Sequence, residues 1–144
     1  MFNDLPDILL RHRRWVGLAA ILLAAATWTI DLTGVVYACP YCRVQRTVIG
    51  LLGILLLSPD PAHWLSRYLS AVLAVFGLSV GATQHFKGWA KIMKGEFTWG
   101  EQWYVNAWAL SGAALFIITG LLLLIWRWQR AAVATEAVTD EAAA

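Results

Sequence analysis

The sequence predicts an all-α integral membrane protein, a four-helix transmembrane bundle with short loops and one longer amphipathic extracytoplasmic loop. Three observations lead there. Of 144 residues, 60% are hydrophobic and only 14% charged, and the mean hydropathy is positive, which lies outside the range of an ordinary soluble domain. Four apolar stretches follow one another, at residues 15–30, 44–57, 65–86 and 105–128, and each reaches or extends to the ~20 residues that a spanning helix needs. No soluble domain longer than the loop over residues 86–104 separates them. Whatever the chain does is therefore expected within or beside a membrane.

Helix one is expected over residues 15–37, behind the basic cluster Arg11, Arg13 and Arg14 and with Asp31 near the interface. A cleavable signal peptide is a poor alternative, because no small-x-small site followed by a soluble domain appears. Helix two is expected over residues 40–58, with Cys42 and Arg46 just inside one surface, where an arginine can snorkel to water. The stretch SPDPAHW, residues 58–64, reads as a tight turn, since its two prolines interrupt any helix. Helix three is expected over residues 65–87 and carries Gly77 and Gly81 in a G-x-x-x-G pattern. Gly50 with Gly53, Gly17 with Ala20 and Ala24, and Ser111 with Gly112 add further small residues. Such positions let helices approach closely in lipid.

The loop at residues 86–104 alternates lysines with Trp89, Ile92, Met93, Phe97, Trp99 and Trp103. That pattern suits a segment lying in the interface plane, either as an aromatic anchor or as a lid. Helix four is expected over residues 104–128, and the alanine-rich residues 131–144, with Glu136, Asp140 and Glu141, as a disordered cytoplasmic tail. Arg11, Arg13, Arg14, Arg67, Arg127 and Arg130 fall on one side, against five basic residues on the other. The N-terminal cluster flanks the first helix, so cytoplasmic termini are expected. The cysteines then face the extracytoplasmic side, where disulfides are permitted. Scattered basic residues and a net charge of +2 make no single-faced patch for nucleic acid.

The only two cysteines, Cys39 and Cys42, stand in ACPYCRVQR, residues 38–46. Pro40 stiffens the intervening turn and suits the first turn of a helix, which places Cys39 at the N-terminus of helix two. Unpaired amides and the helix dipole favour a thiolate there. Arg46 lies four residues after Cys42 and shares its helix face, so its guanidinium is expected to assist the sulfurs. Zinc would need two more ligands, yet His12 and His63 face the other side and leave His85 alone. No metal is expected. A bis-histidine haem fails for the same reason. An inert staple explains the spacing badly, because a loop this small removes little chain entropy. The four letters CPYC also occur in glutaredoxins, but those place the motif after a strand in a soluble βαβ fold, and no such strand is expected here.

Read onward from Cys39 through Arg46, behind one hydrophobic helix and opening the second of four, the chain resembles the bacterial disulfide bond formation protein B family. These are inner-membrane thiol oxidoreductases that pass electrons from a periplasmic dithiol oxidase to quinone. The resemblance covers the helical core in topology and is specific in residues from Cys39 to Arg46. It implies a ubiquinone or menaquinone cofactor, Cys42 as the sulfur facing it, and Cys39 as the sulfur that exchanges with a partner resembling the periplasmic oxidase. It also implies Arg46 beside the quinone, with His85, at the end of helix three, as a further quinone contact.

One departure stands out. Members of the full type carry a second cysteine pair in the long second extracytoplasmic loop, whereas residues 86–104 contain none. Either a partner thiolate attacks the Cys39–Cys42 disulfide directly, or another chain supplies the missing pair, or the chain keeps the quinone site without generating disulfides. A different class of function follows from the same absence: a small non-catalytic subunit or assembly factor of a larger membrane complex, binding neighbouring membrane subunits through its tryptophans and small-residue faces.

Overall fold

A computed structural model describes the backbone of residues 5–36, 39–100 and 105–143, and the side chains of residues 7–36, 39–100 and 105–127. The described residues form helices and connecting turns, without strands. In chain order they are α1 (Leu5–Arg11), α2 (Arg13–Leu32), α3 (Pro40–Leu57), α4 (Trp64–Met93) and α5 (Ala107–Ala143). Four of them contain segments long and apolar enough to cross a membrane: Arg13–Leu32, Pro40–Leu57, Trp64–Met93 and Ala107–Arg127. The chain thus has the make-up of a multi-pass membrane protein.

α3 is the hub, packed against α2, α4 and α5. Leu52 and Leu56 on α3, Ala74 on α4, and Ile118 and Ile125 on α5 are fully buried where these helices meet. The small residues set the spacing. A Cβ on Gly53 would lie 2.9 Å from the Gly17 carbonyl oxygen and 3.0 Å from the Ala20 Cβ, so α2 and α3 meet backbone to backbone. Gly77 faces Val48 on α3 and Ile118 on α5, and Gly81 faces Leu115 on α5. Large apolar side chains such as Leu22, Val75, Phe76, Phe116 and Leu123 point outward. That inversion suits a lipid surround, in which apolar side chains need no burial inside the protein.

The helix ends differ from the sequence expectation in three places. α2 stops at Leu32 rather than at residue 37, because Gly34 turns the chain at φ +73° with its amide on the Asp31 carbonyl. α4 runs on to Met93 through what was expected to be loop: Lys87 and Lys91 end the apolar run, but lysine is a good helix former. Part of that loop, residues 101–104, lies outside the described residues, as do residues 37 and 38. α5 begins at Ala107, where the Asn106 Oδ1 accepts from the amides of Trp108 and Ala109. Its helical backbone continues to Ala143 in place of the disordered tail expected from residue 131, and frequent alanine favours that continuation. Side chains beyond residue 127 are outside the described set.

One end of the bundle gathers Arg13, Arg67 and Arg127. Arg13 donates to the Leu56 and Ser58 carbonyls, Arg67 lies over the Trp126 ring, and Arg127 pairs with Asp7 at 2.9 Å. The cysteines, Asp31 and the C-terminal half of α4 meet at the other end.

Candidate functional site: a cysteine pair at a helix N-terminus

Cys39 is the N-cap of α3, in an extended conformation at φ −99° and ψ 113°, and Pro40 occupies the first turn. Proline suits that position because its missing N–H has no partner to lose and its φ is already helical. The sulfur of Cys39 takes the place of a capping oxygen and accepts from the Cys42 amide at 3.4 Å. Both cysteines are half-buried free thiols.

A second donor comes from α4. Gln84 Nε2 lies 3.6 Å from Cys39 Sγ and 3.5 Å from Cys42 Sγ, so one amide bridges both sulfurs. Its orientation is set from α3, where Gln45 Nε2 donates to Gln84 Oε1 at 2.8 Å. Both glutamines are buried, at 4% and 6% exposure. Polar side chains in such surroundings need partners, and these two satisfy each other while turning an N–H₂ toward the sulfurs.

Arg46 approaches from the α2 side. Its Nε donates to the Cys42 carbonyl at 3.2 Å and its Nη1 to the Thr27 carbonyl at 2.6 Å, with Asp31 Oδ2 3.5 Å from Nη1. Arg43 pairs with the same Asp31 oxygen at 2.6 Å. Both guanidinium groups lie near the Trp28 ring, at 5.8 Å for Arg43 and 5.6 Å for Arg46. On the exposed rim, Lys87 donates to the Tyr41 hydroxyl and sits over its ring, tying the second of the two residues between the cysteines to α4.

Cys39, Cys42 and Arg46 are therefore brought together within the first two turns of α3, the arginine engaging the backbone carbonyl of Cys42. His85 is placed elsewhere. Although it follows Gln84, it turns toward α5, where Nδ1 lies 3.0 Å from the Trp108 carbonyl and the ring stacks on Trp108 at 5.2 Å. Nε2 accepts from the Trp89 indole at 3.1 Å. Trp89, Phe97 and Trp99 complete an aromatic cluster around Trp108.

Gln84 and Gln45 were not singled out in the sequence, yet Gln84 touches both sulfurs. The available signal was a pair of amide side chains within apolar helices, since polar residues at membrane depth are kept for a partner or a function. Asp31, expected near the interface, proves to be the buried counter-ion of two arginines. Comparisons of the chain with family models, with curated proteins and with solved structures each return no match.

Proposed function

We propose that the chain is a membrane thiol:quinone oxidoreductase of the disulfide bond formation protein B type, which cycles a Cys39–Cys42 disulfide. The observation that carries this reading is the pair of thiols held together by one amide at the N-terminus of α3, at the end of a bundle of membrane-length helices. A structural staple needs no such donor. A sulfur that alternates between disulfide and thiolate does, because hydrogen bonding to the charged form favours it.

In the oxidative half-cycle a partner's thiolate attacks Cys39 Sγ, the Cys39–Cys42 bond breaks, and a mixed disulfide forms. The electron pair of the broken bond stays on Cys42, where the Gln84 amide and Arg46 beside the Cys42 carbonyl favour a negative charge. The partner's second thiol then displaces Cys39, leaving the partner oxidised and this chain a dithiol. The donor set suits a quinone: the Arg46 guanidinium keeps N–H groups beyond those on the Cys42 and Thr27 carbonyls for a carbonyl oxygen, and the outward side chains of the bundle are apolar. A quinone, when bound, supplies the acceptor for two electrons and two protons as the disulfide is restored. In this reading the protein lies in the bacterial inner membrane with its cysteines on the periplasmic side, and a periplasmic dithiol protein is the partner.

The test is steady-state quinone reduction by the purified protein with a reduced periplasmic dithiol protein as donor. Wild type is expected to turn over, Cys39→Ser and Cys42→Ser to be inactive, and Arg46→Ala to be slowed. The absence of cysteine in residues 86–104 favours one competing reading, a non-catalytic subunit of a larger membrane complex. No turnover in wild type, with copurification of a large assembly, would establish that reading instead.

A further inference from the structure

We infer that Asp31 is a positioning residue of the cysteine site, acting through Arg46; its functional meaning rests on the thiol chemistry proposed above. Asp31 sits in the last turn of α2 with its side chain 0% exposed, between Arg43, whose side chain is 42% exposed, and Arg46, at 12%. The asymmetry decides which arginine depends on it. Arg43 can trade its partner for water, whereas a guanidinium as buried as that of Arg46 needs a counter-ion.

The end of α2 forms a clamp. The Thr27 carbonyl, the Trp28 ring and the Asp31 carboxylate all approach Arg46 from α2, while its Nε remains on the Cys42 carbonyl. Asp31 Oδ2 serves both arginines, and Oδ1 is buried with no hydrogen-bond partner. A buried carboxylate oxygen without a partner is unfavourable. That cost is offset where the carboxylate charge fixes a guanidinium beside the cysteine turn.

The sign of one effect separates positioning from simple electrostatics. If Asp31 were only a negative charge near the sulfurs, a neutral replacement would favour the thiolate and speed its alkylation. If Asp31 holds Arg46 in place, the same replacement releases the guanidinium and slows the reaction. The reduced protein in lipid nanodiscs is treated with iodoacetamide at fixed pH. Asp31→Asn is expected to react about tenfold more slowly, the scale set by one opposite charge beside an ionisable group. Asp31→Glu is expected to restore the rate. Arg46→Ala is expected to slow the wild type and to add nothing in the Asp31→Asn background, as for residues that act as one unit. Alkylation of Asp31→Asn at or above the wild-type rate, or additive losses in the double variant, would overturn the inference.

Should Asp31→Asn fail to fold, Arg43→Gln decides. Asp31 then serves Arg46 alone, and alkylation is expected to equal or exceed that of wild type although a positive charge has gone; slowing would overturn the inference. None of these readouts involves quinone. Missing quinone turnover in wild type would therefore remove the oxidoreductase reading without touching the link from Asp31 to the sulfurs.

Discussion

Replacing Gln84 with leucine separates packing from chemistry at the cysteine pair. Gln84 Oε1 accepts from Gln45 Nε2 at 2.8 Å, and the same side chain donates to both sulfurs. Gln45 is 4% exposed, so the leucine strands a buried donor. Such a loss costs about 1–3 kcal/mol. For a chain of this size that lowers the melting midpoint by roughly 2–12 °C, at ~2–4 °C per kcal/mol. The double variant Gln45→Leu/Gln84→Leu removes donor and acceptor together, and an apolar pair of similar volume is close to neutral for stability. It cannot restore the chemistry, because neither leucine donates to sulfur. Circular dichroism melts in detergent, run beside iodoacetamide alkylation of the reduced protein, read the two effects separately. The single variant is expected to melt early and react slowly; the double variant is expected to melt near wild type and still react slowly. A double variant that melts as early as the single, or wild-type alkylation in both, would refute the reasoning.

Four further outcomes are expected. Gly53→Ala places a Cβ 2.9 Å from the Gly17 carbonyl oxygen, a backbone atom that cannot rotate away; it should cost about 1–3 kcal/mol in thermal melts, as overpacking does. Gly120→Ala, with no atom within 4 Å of the new Cβ, should be neutral or gain up to ~1 kcal/mol from helix propensity. His85→Ala removes the stacking on Trp108 and the acceptor for Trp89; it should lower the melting midpoint and alter the near-ultraviolet dichroism while leaving the KM for quinone near that of wild type. A membrane-impermeant maleimide should label Cys39 and Cys42 in spheroplasts and fail to do so in inside-out vesicles; the reverse pattern would invert the proposed orientation.

The spans were legible because hydropathy is a one-dimensional property, readable without knowing what packs on what. Pro40 made the N-cap position of Cys39 legible for a similar reason, since its preference for the first helical turn is local. The small-residue faces also carried through: Gly53 does meet Gly17 and Ala20. What was not legible depends on register between helices. Gln45 and Gln84 are 39 residues apart, and nothing in either segment alone states that their side chains meet. Asp31 is similar, because its burial depends on how α2 ends against α3. The end of α4 was misplaced because an apolar run stops at the first lysines, whereas the helix stops only where its hydrogen bonds do, at Lys94 and Gly95.

Electron transfer from this cysteine pair is tested most directly by a single-turnover measurement. Fully reduced wild-type protein, with no dithiol partner present, is mixed with ubiquinone or menaquinone in nanodiscs, and both quinol and protein thiols are quantified. One quinol per chain, formed together with a Cys39–Cys42 disulfide seen by mass spectrometry of the digested protein, is the expected result. Thiols that remain reduced while the quinone stays oxidised would contradict the account.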